Sequence, residues 1–369
     1  MFFFGDSKPK LSLLLEIQSS LVRGTLALYE DGRLKEVLYS LDIDIPYIPH
    51  ATSAYYVKTA LRNLTEAIET ALKHLHLISE ARPELRIPKR PDDVHFVMSS
   101  PWIISQPRNV VVPFGRKTAI TEDRIKKILD EERMKMDFGQ KLKVETIEEK
   151  IFEVRLNGYA IGDWHGKESD SLEVSYALSA GSSDTIDKLR DIAIHSTGTR
   201  KVLFHSALIL HYMRLRNLPL TPHSYALIYI HGEQTDVMIV ERQLCSFFGS
   251  FPVGVNSVIR RITAAAHIDR RSAESLLALH IGEHIDKEHD KTTDALMATA
   301  SLYWRDGLRK ILGPTDPESR MPDNVFMASG THDEFFTRSL LSFKSDCRLL
   351  PLPARAENAY AQAINNAPR

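Results

Sequence analysis

The sequence predicts an α/β protein built from two similar halves around a cleft, with a small α/β subdomain inserted into the first half. Three observations carry that expectation. A buried strand–turn–strand unit at 11–29 recurs at 226–240. Amphipathic helices separate the strands, the alternation from which layered α/β sheets are made. A stretch of different texture, 117–180, interrupts the first half with a helix and a hairpin of its own.

Residues 11–17 are nearly all apolar and read as a buried strand. A second strand covers 22–29, Glu30-Asp31-Gly32 reverses the chain, and a third strand covers 34–39. Asp-Gly between apolar-rich runs is a hairpin signal. From Ser53, Val57, Ala60, Leu61, Leu64, Ala67, Ile68 and Leu72 recur at helical spacing. Pro83, Pro88 and Pro91 mark a loop before a buried strand at 95–98.

Thr121 is placed to cap a helix carrying Ile125, Ile128 and Leu129. A hairpin of 151–159 and 172–178 follows. In its second strand Leu172, Val174, Tyr176 and Leu178 alternate with Glu173, Ser175, Ala177 and Ser179, which predicts one buried and one wet face. An amphipathic helix (183–195), a strand (201–204) and a helix from about Ser206 complete the first half. Strands at 226–230 and 237–240, helices through 254–312 and a late strand at 325–328 make the second. The predicted partition assigns 1–116 and 181–222 to the first domain and 117–180 to the insertion. It assigns 223–254 and 313–369, with a C-terminal helix, to the second domain, and 255–312 to a reduced helical subdomain.

Composition narrows the function classes. Of 369 residues, 47 are Lys or Arg and 48 are Asp or Glu, so no global charge favours nucleic acid or an anionic membrane. Two separated cysteines, Cys245 and Cys347, suggest neither a disulfide framework nor a cysteine zinc site, which fits a cytoplasmic chain. No apolar run reaches the roughly 18 residues of a membrane span. Phe2, Phe3 and Phe4 read as a flexible or locally packed end. His280-Ile281-Gly282-Glu283-His284 matches the H-x-x-E-H pattern of inverted zinc peptidases. Gly282 interrupts the helix and a charged run follows to Asp290, so a solvated helix end is expected there and no metal. His205 and His211 read as boundary packing.

Four segments carry a more specific reading. Glu16-Ile17-Gln18-Ser19-Ser20-Leu21-Val22-Arg23 joins the first two strands, and Tyr229-Ile230-His231-Gly232-Glu233-Gln234-Thr235-Asp236 joins the equivalent later pair. Pro252-Val253-Gly254 and Ala273-Glu274 follow; Asn157-Gly158-Tyr159 and Leu172-Glu173-Val174 lie in the insertion. In order and spacing, over nearly the whole chain, these resemble the actin-like ATPase superfamily. Within it they resemble the FtsA and PilM type of cell division and type IV pilus assembly. That family has duplicated ribonuclease H-like domains and phosphate loops of the form Asp-Ile-Gly-Ser-Ser-Ser-Val-Lys and Asp-Ile-Gly-Gly-x-Thr-Thr-Asp. The resemblance implies nucleotide contacts at Glu16, Ser19, Ser20, Arg23, Gly232, Glu233, Thr235, Asp236, Gly254, Glu274 and Gly330.

The departures fall on the chemistry. Such loops use glycine so that backbone N–H groups come close to phosphates. Gln18 and His231 stand where the family has that glycine. Glu16 keeps one of the acidic residues that hold hydrated magnesium, whereas Tyr229 replaces the other, and metal-assisted phosphoryl transfer loses part of its charge neutralisation. Phe204, Leu277 and Ser329 replace a further acid, lysine and glycine of the pattern. The resemblance therefore implies ATP with magnesium as cofactor, while the substitutions predict a cleft without it and a pseudo-ATPase. It further implies a cytoplasmic scaffold at the inner membrane face that binds a cytoplasmic tail of a membrane protein and has the capacity for self-association, without nucleic acid. The alternative is an ATP-binding, filament-forming cytoskeletal protein.

Overall fold

The computed structural model describes residues 8–48, 52–135, 143–281, 287–329, 332–352, 360–362 and 364, with backbone only at 279–281 and 287–292. Phe2, Phe3, Phe4 and Gly330 lie outside the described residues, as do the side chains of His280, His284 and His289.

Two five-stranded sheets share one strand order. In the first, β1 (Lys10–Ile17), β2 (Leu21–Glu30) and β3 (Arg33–Asp44) form an antiparallel meander. After α1 (Ser53–Ala81), β4 (Asp93–Met98) returns parallel to β1, and β9 (Val202–Ser206) lies parallel to β4. The order is β3-β2-β1-β4-β9. The second sheet repeats it with β10 (Tyr225–Ile230), β11 (Thr235–Glu241), β12 (Leu244–Phe251), β13 (Asn324–Ala328) and β14 (Arg348–Leu350), in the order β12-β11-β10-β13-β14. The pairing senses repeat as well. The duplication expected from the two strand–turn–strand units is thus present in full.

The central strands are buried on both faces, which is why they read as unbroken apolar runs. Thr52 caps α1 by accepting from the Tyr55 N–H, and Leu64, Ala67, Ile68 and Ala71 pack on the first sheet beside Ile186 and Leu189 of α3 (Ser183–Thr197). The second sheet is covered by α5 (Val255–Ala266), α6 (Arg270–Ile281), α7 (Lys287–Leu312) and α8 (Asp333–Leu341), around the fully buried Trp304. Helix α4 (Ala207–Arg216) serves both halves. Its Ala207 and Leu210 touch Leu14 and Val97, and its Leu208, Tyr212 and Leu215 pack against Tyr225, Leu227 and Met238.

The inserted unit is a four-stranded sheet of β5 (Ile103–Ala119), β6 (Val144–Leu156), β7 (Tyr159–Ala160) and β8 (Glu168–Ser182), ordered β5-β8-β6-β7 and covered by α2 (Glu122–Met134). Its first strand starts at Ile103, so the boundary expected at 117 falls inside a strand. Strand β5 is an edge strand containing Pro107 and Pro113, mostly exposed and without apolar alternation, and proline is tolerated at such an edge. In β8 the expected wet face is largely covered. Ser175 and Ser179 are buried, bonded to Asn109 and Ser105 of β5.

Candidate functional site

The two sheets present equivalent hairpin turns to each other. Ile17 pairs with Val22, and Ile230 with Thr235. Each turn closes with the same bond: the Gln18 N–H donates to the Leu21 carbonyl at 2.9 Å, and the His231 N–H to the Gln234 carbonyl at 2.8 Å. Glu16 and Tyr229 are therefore structural equivalents, as are Gln18 and His231.

The two turns touch directly. The Glu233 N–H donates to Ser19 Oγ at 3.0 Å. A Cβ on Gly232 would lie 2.1 Å from Ser20 Oγ, so only glycine allows this approach. Gln18 Nε2 donates to Glu16 Oε1 at 2.7 Å and to the Tyr229 hydroxyl at 3.0 Å, and Tyr229 donates to Glu16 Oε1 at 3.1 Å. Arg23 holds the other Glu16 oxygen at 3.2 Å and grips Asp42 with two bonds. Trp102 Nε1 fixes the first turn through the Gln18 carbonyl.

Behind Tyr229 lies a buried chain of polar groups. The Tyr360 hydroxyl is 3.4 Å from that of Tyr229 and 3.1 Å from His211 Nε2, while Tyr29 donates to the Ala361 carbonyl. Burial, with the Glu16 charge adding to it, raises the phenol of Tyr229 well above its ordinary range, and burial does the same for Tyr360. Burial and the nearby Arg214 lower His211 to about 3, so it is a neutral imidazole whose Nε2 shares a hydrogen bond with the Tyr360 hydroxyl. His211, read as boundary packing, packs against Tyr229 and Tyr360 in the seam between the halves.

Beside these contacts opens a cleft of about 1240 Å³, lined among others by Arg23, Asp42, Asn256, Arg270, Glu274 and His332. Of the implied contact residues, Ser20, Arg23, Gly232 and Glu274 line it. Glu16 lies beneath it. Glu274 is paired with Arg270, which also reaches Asn256. Glu233 is held by both guanidinium nitrogens of Arg260, whose other face stacks 3.7 Å from the Tyr47 ring.

Thr235 does not reach the cleft: it is fully buried, donating to the Val253 carbonyl and accepting from Trp304. Asp236 lines a different cavity. Gly254 packs on the second turn, where a Cβ would meet the His231 carbonyl at 2.2 Å. That turn's carbonyls also accept from the first N–H groups of α5, which would otherwise face an anion. The atypical residues are core: Phe204 stacks on Phe96, and Leu277 is fully buried. Ser329 bonds to Asp333 at the start of α8. The sequence reading did not single out Asn256, Arg270 or Tyr360; the only signal for Tyr360 was an aromatic residue in an alanine- and asparagine-rich tail.

A triphosphate with magnesium, the group this fold family implies, fits these residues poorly. One acidic position is a tyrosine, the other carboxylate is already bonded, and the turn N–H at Glu233 is already donated. What the arrangement does chemically is join the halves.

Comparison with known proteins bears on the fold alone. No protein-family model matches the chain, and no curated protein matches it. Among solved structures, a PilM–PilN type IV pilus biogenesis complex is similar at 15% identity, over 96% of this chain and 97% of that one, with a TM-score of 0.52. The ethanolamine utilization protein EutJ from Carboxydothermus hydrogenoformans is similar at 7% identity, over 98% and 90% of the two chains, with a TM-score of 0.45. The chain has the actin-like ATPase fold. The PilM chain shares that fold over nearly its full length.

Proposed function

We propose that the chain is an actin-like scaffold that does not hydrolyse ATP and holds a cytoplasmic segment of a membrane-bound assembly partner, as in pilus or division machinery. One observation carries the first part: the two hairpin turns bond to each other at Ser19–Glu233 and through Glu16, Gln18 and Tyr229, where active members would hold phosphate between them. The partner part is supported by the similar structure, itself a complex of pilus biogenesis. By the resemblance, the partner would dock between the first half and the inserted sheet. Among the described residues no helix is long and apolar enough to cross a membrane, and recruitment through the partner would bring the chain to the inner face.

Mg-ATP titration tests the first part. The wild-type chain is expected to show no saturable binding at millimolar nucleotide. Combined Gln18→Gly, Tyr229→Asp and His231→Gly should raise affinity by about tenfold or more. Saturable wild-type binding with nucleotide-sensitive sedimentation would replace this reading with the filament-forming one. Pull-downs with cytoplasmic tails of pilus and division membrane proteins test the second part, and failure to retain any of them would remove it.

A further inference from the structure

A second cavity, of about 220 Å³, lies where the first half, the inserted sheet and the second sheet meet. A hydrogen-bonded side-chain pair links its lining to that of the main cleft. His231 lines the main cleft, Asp236 lines this cavity, and His231 Nε2 is 3.0 Å from Asp236 Oδ2.

Asp236 is 1% exposed. Its Oδ2 is engaged by His231 and by the Ser100 N–H at 3.3 Å. Its Oδ1 has no hydrogen-bond partner among the described residues, nor does the buried hydroxyl of Ser99 on the same wall. A buried carboxylate oxygen left without a donor is costly, because water no longer solvates it. Met98, Ile103, Leu208 and Phe248 supply an apolar collar, and half-exposed Ile104 with exposed Ser250 forms the rim.

We propose that this cavity binds an alkylammonium group, whose N–H donors meet Asp236 Oδ1 and Ser99 Oγ while its methylene stem fills the collar. A divalent cation suits it less, because such ions take six or more oxygen ligands. Among the described residues no cluster of three metal-ligating side chains exists. An uncharged donor gains less from a buried carboxylate than a charged one does. The ammonium comes either from a lysine side chain of another polypeptide or from a free amine. This inference is independent of the scaffold reading.

The test is methyl NMR on the full chain, labelled at isoleucine and leucine, titrated with n-butylammonium chloride, with n-butanol and potassium chloride as controls. Saturable shifts confined to Ile103, Ile104 and Leu208 are expected with butylammonium alone. Asp236→Asn should weaken the binding by about tenfold or more. Ile104→Trp, at the exposed rim, should block entry without disturbing the core, and carries the test where the Asp236 variant folds poorly. A short lysine-containing peptide and its norleucine counterpart separate the sources: tighter binding of the lysine peptide than of butylammonium assigns the site to a polypeptide, and equal binding assigns it to free amines. No saturation up to about 100 mM, equal shifts with n-butanol, or unchanged binding in both variants would overturn the proposal.

Discussion

The two hairpin turns have the same backbone and opposite chemistry. Both follow a buried central strand and both close with an N–H to carbonyl bond three residues on. Yet at equivalent positions the first carries Glu16 and Arg23, and the second Tyr229 and Asp236. Duplication fixes where side chains are displayed, because register and turn geometry repeat. It leaves free what is displayed. Here the halves have diverged into complementary partners, the tyrosine of one donating to the glutamate of the other.

That complementarity is open to breakage. The largest effect is expected from Glu16→Leu, which leaves Arg23, Gln18 and the Tyr229 hydroxyl without their shared acceptor. Denaturant unfolding should show a loss of about 3 kcal/mol, and a loss under 1 kcal/mol would mean that the seam does not depend on this carboxylate. Gly232→Ala drives a methyl into Ser20 and should destabilise by about 2 kcal/mol. Ser20→Gly in the same chain should recover part of it, the Asn256 amide at 2.8 Å remaining in the way, whereas the equivalent change in the first turn, Ser19→Ala, removes one bond and about 1 kcal/mol. Failure of the rescue would show that the turns do not meet as described.

A separate effect concerns pH. His211 titrates at about 3 in the folded protein against about 6.5 unfolded, so the unfolded chain binds the proton first as the solution is acidified. Its contribution is therefore complete above pH ~6.5 and is lost as pH falls toward ~3, at no more than about 1.4 kcal/mol per pH unit. His211→Gln should flatten that part of the stability profile, and an unchanged slope would assign it to other groups.

The sheets were legible because buried strands and hairpin turns announce themselves locally, through apolar runs such as 11–17 and the Asp31-Gly32 turn. Strand β5 was not, since an exposed edge strand with two prolines carries no periodic signal. The site was half legible. Substitutions at Gln18, Tyr229 and His231 could be seen, but not that Gln18 and Tyr229 would bond to Glu16 or that His231 would pair with Asp236 rather than line an open loop. Thr235 and Asp236 were placed with the phosphate contacts because the motif runs through them. Strand alternation and Trp304 turn one into the core and the other to the back. Those outcomes depend on partners far away in sequence.

The Tyr29–Ala361 bond has a consequence for the order of assembly. It spans 332 positions and closes the seam with a segment synthesised long after the first sheet. A ribosome making this chain completes the strands of the first sheet at Ser206, whereas the edge strand of the second, β14, ends at Leu350, just ahead of Tyr360. The first sheet therefore waits with its side of the joint unsealed until the last strand of the second sheet and the Tyr360 segment arrive together. Whatever protects that joint, a chaperone or the speed of synthesis itself, acts in the interval before Tyr360 emerges.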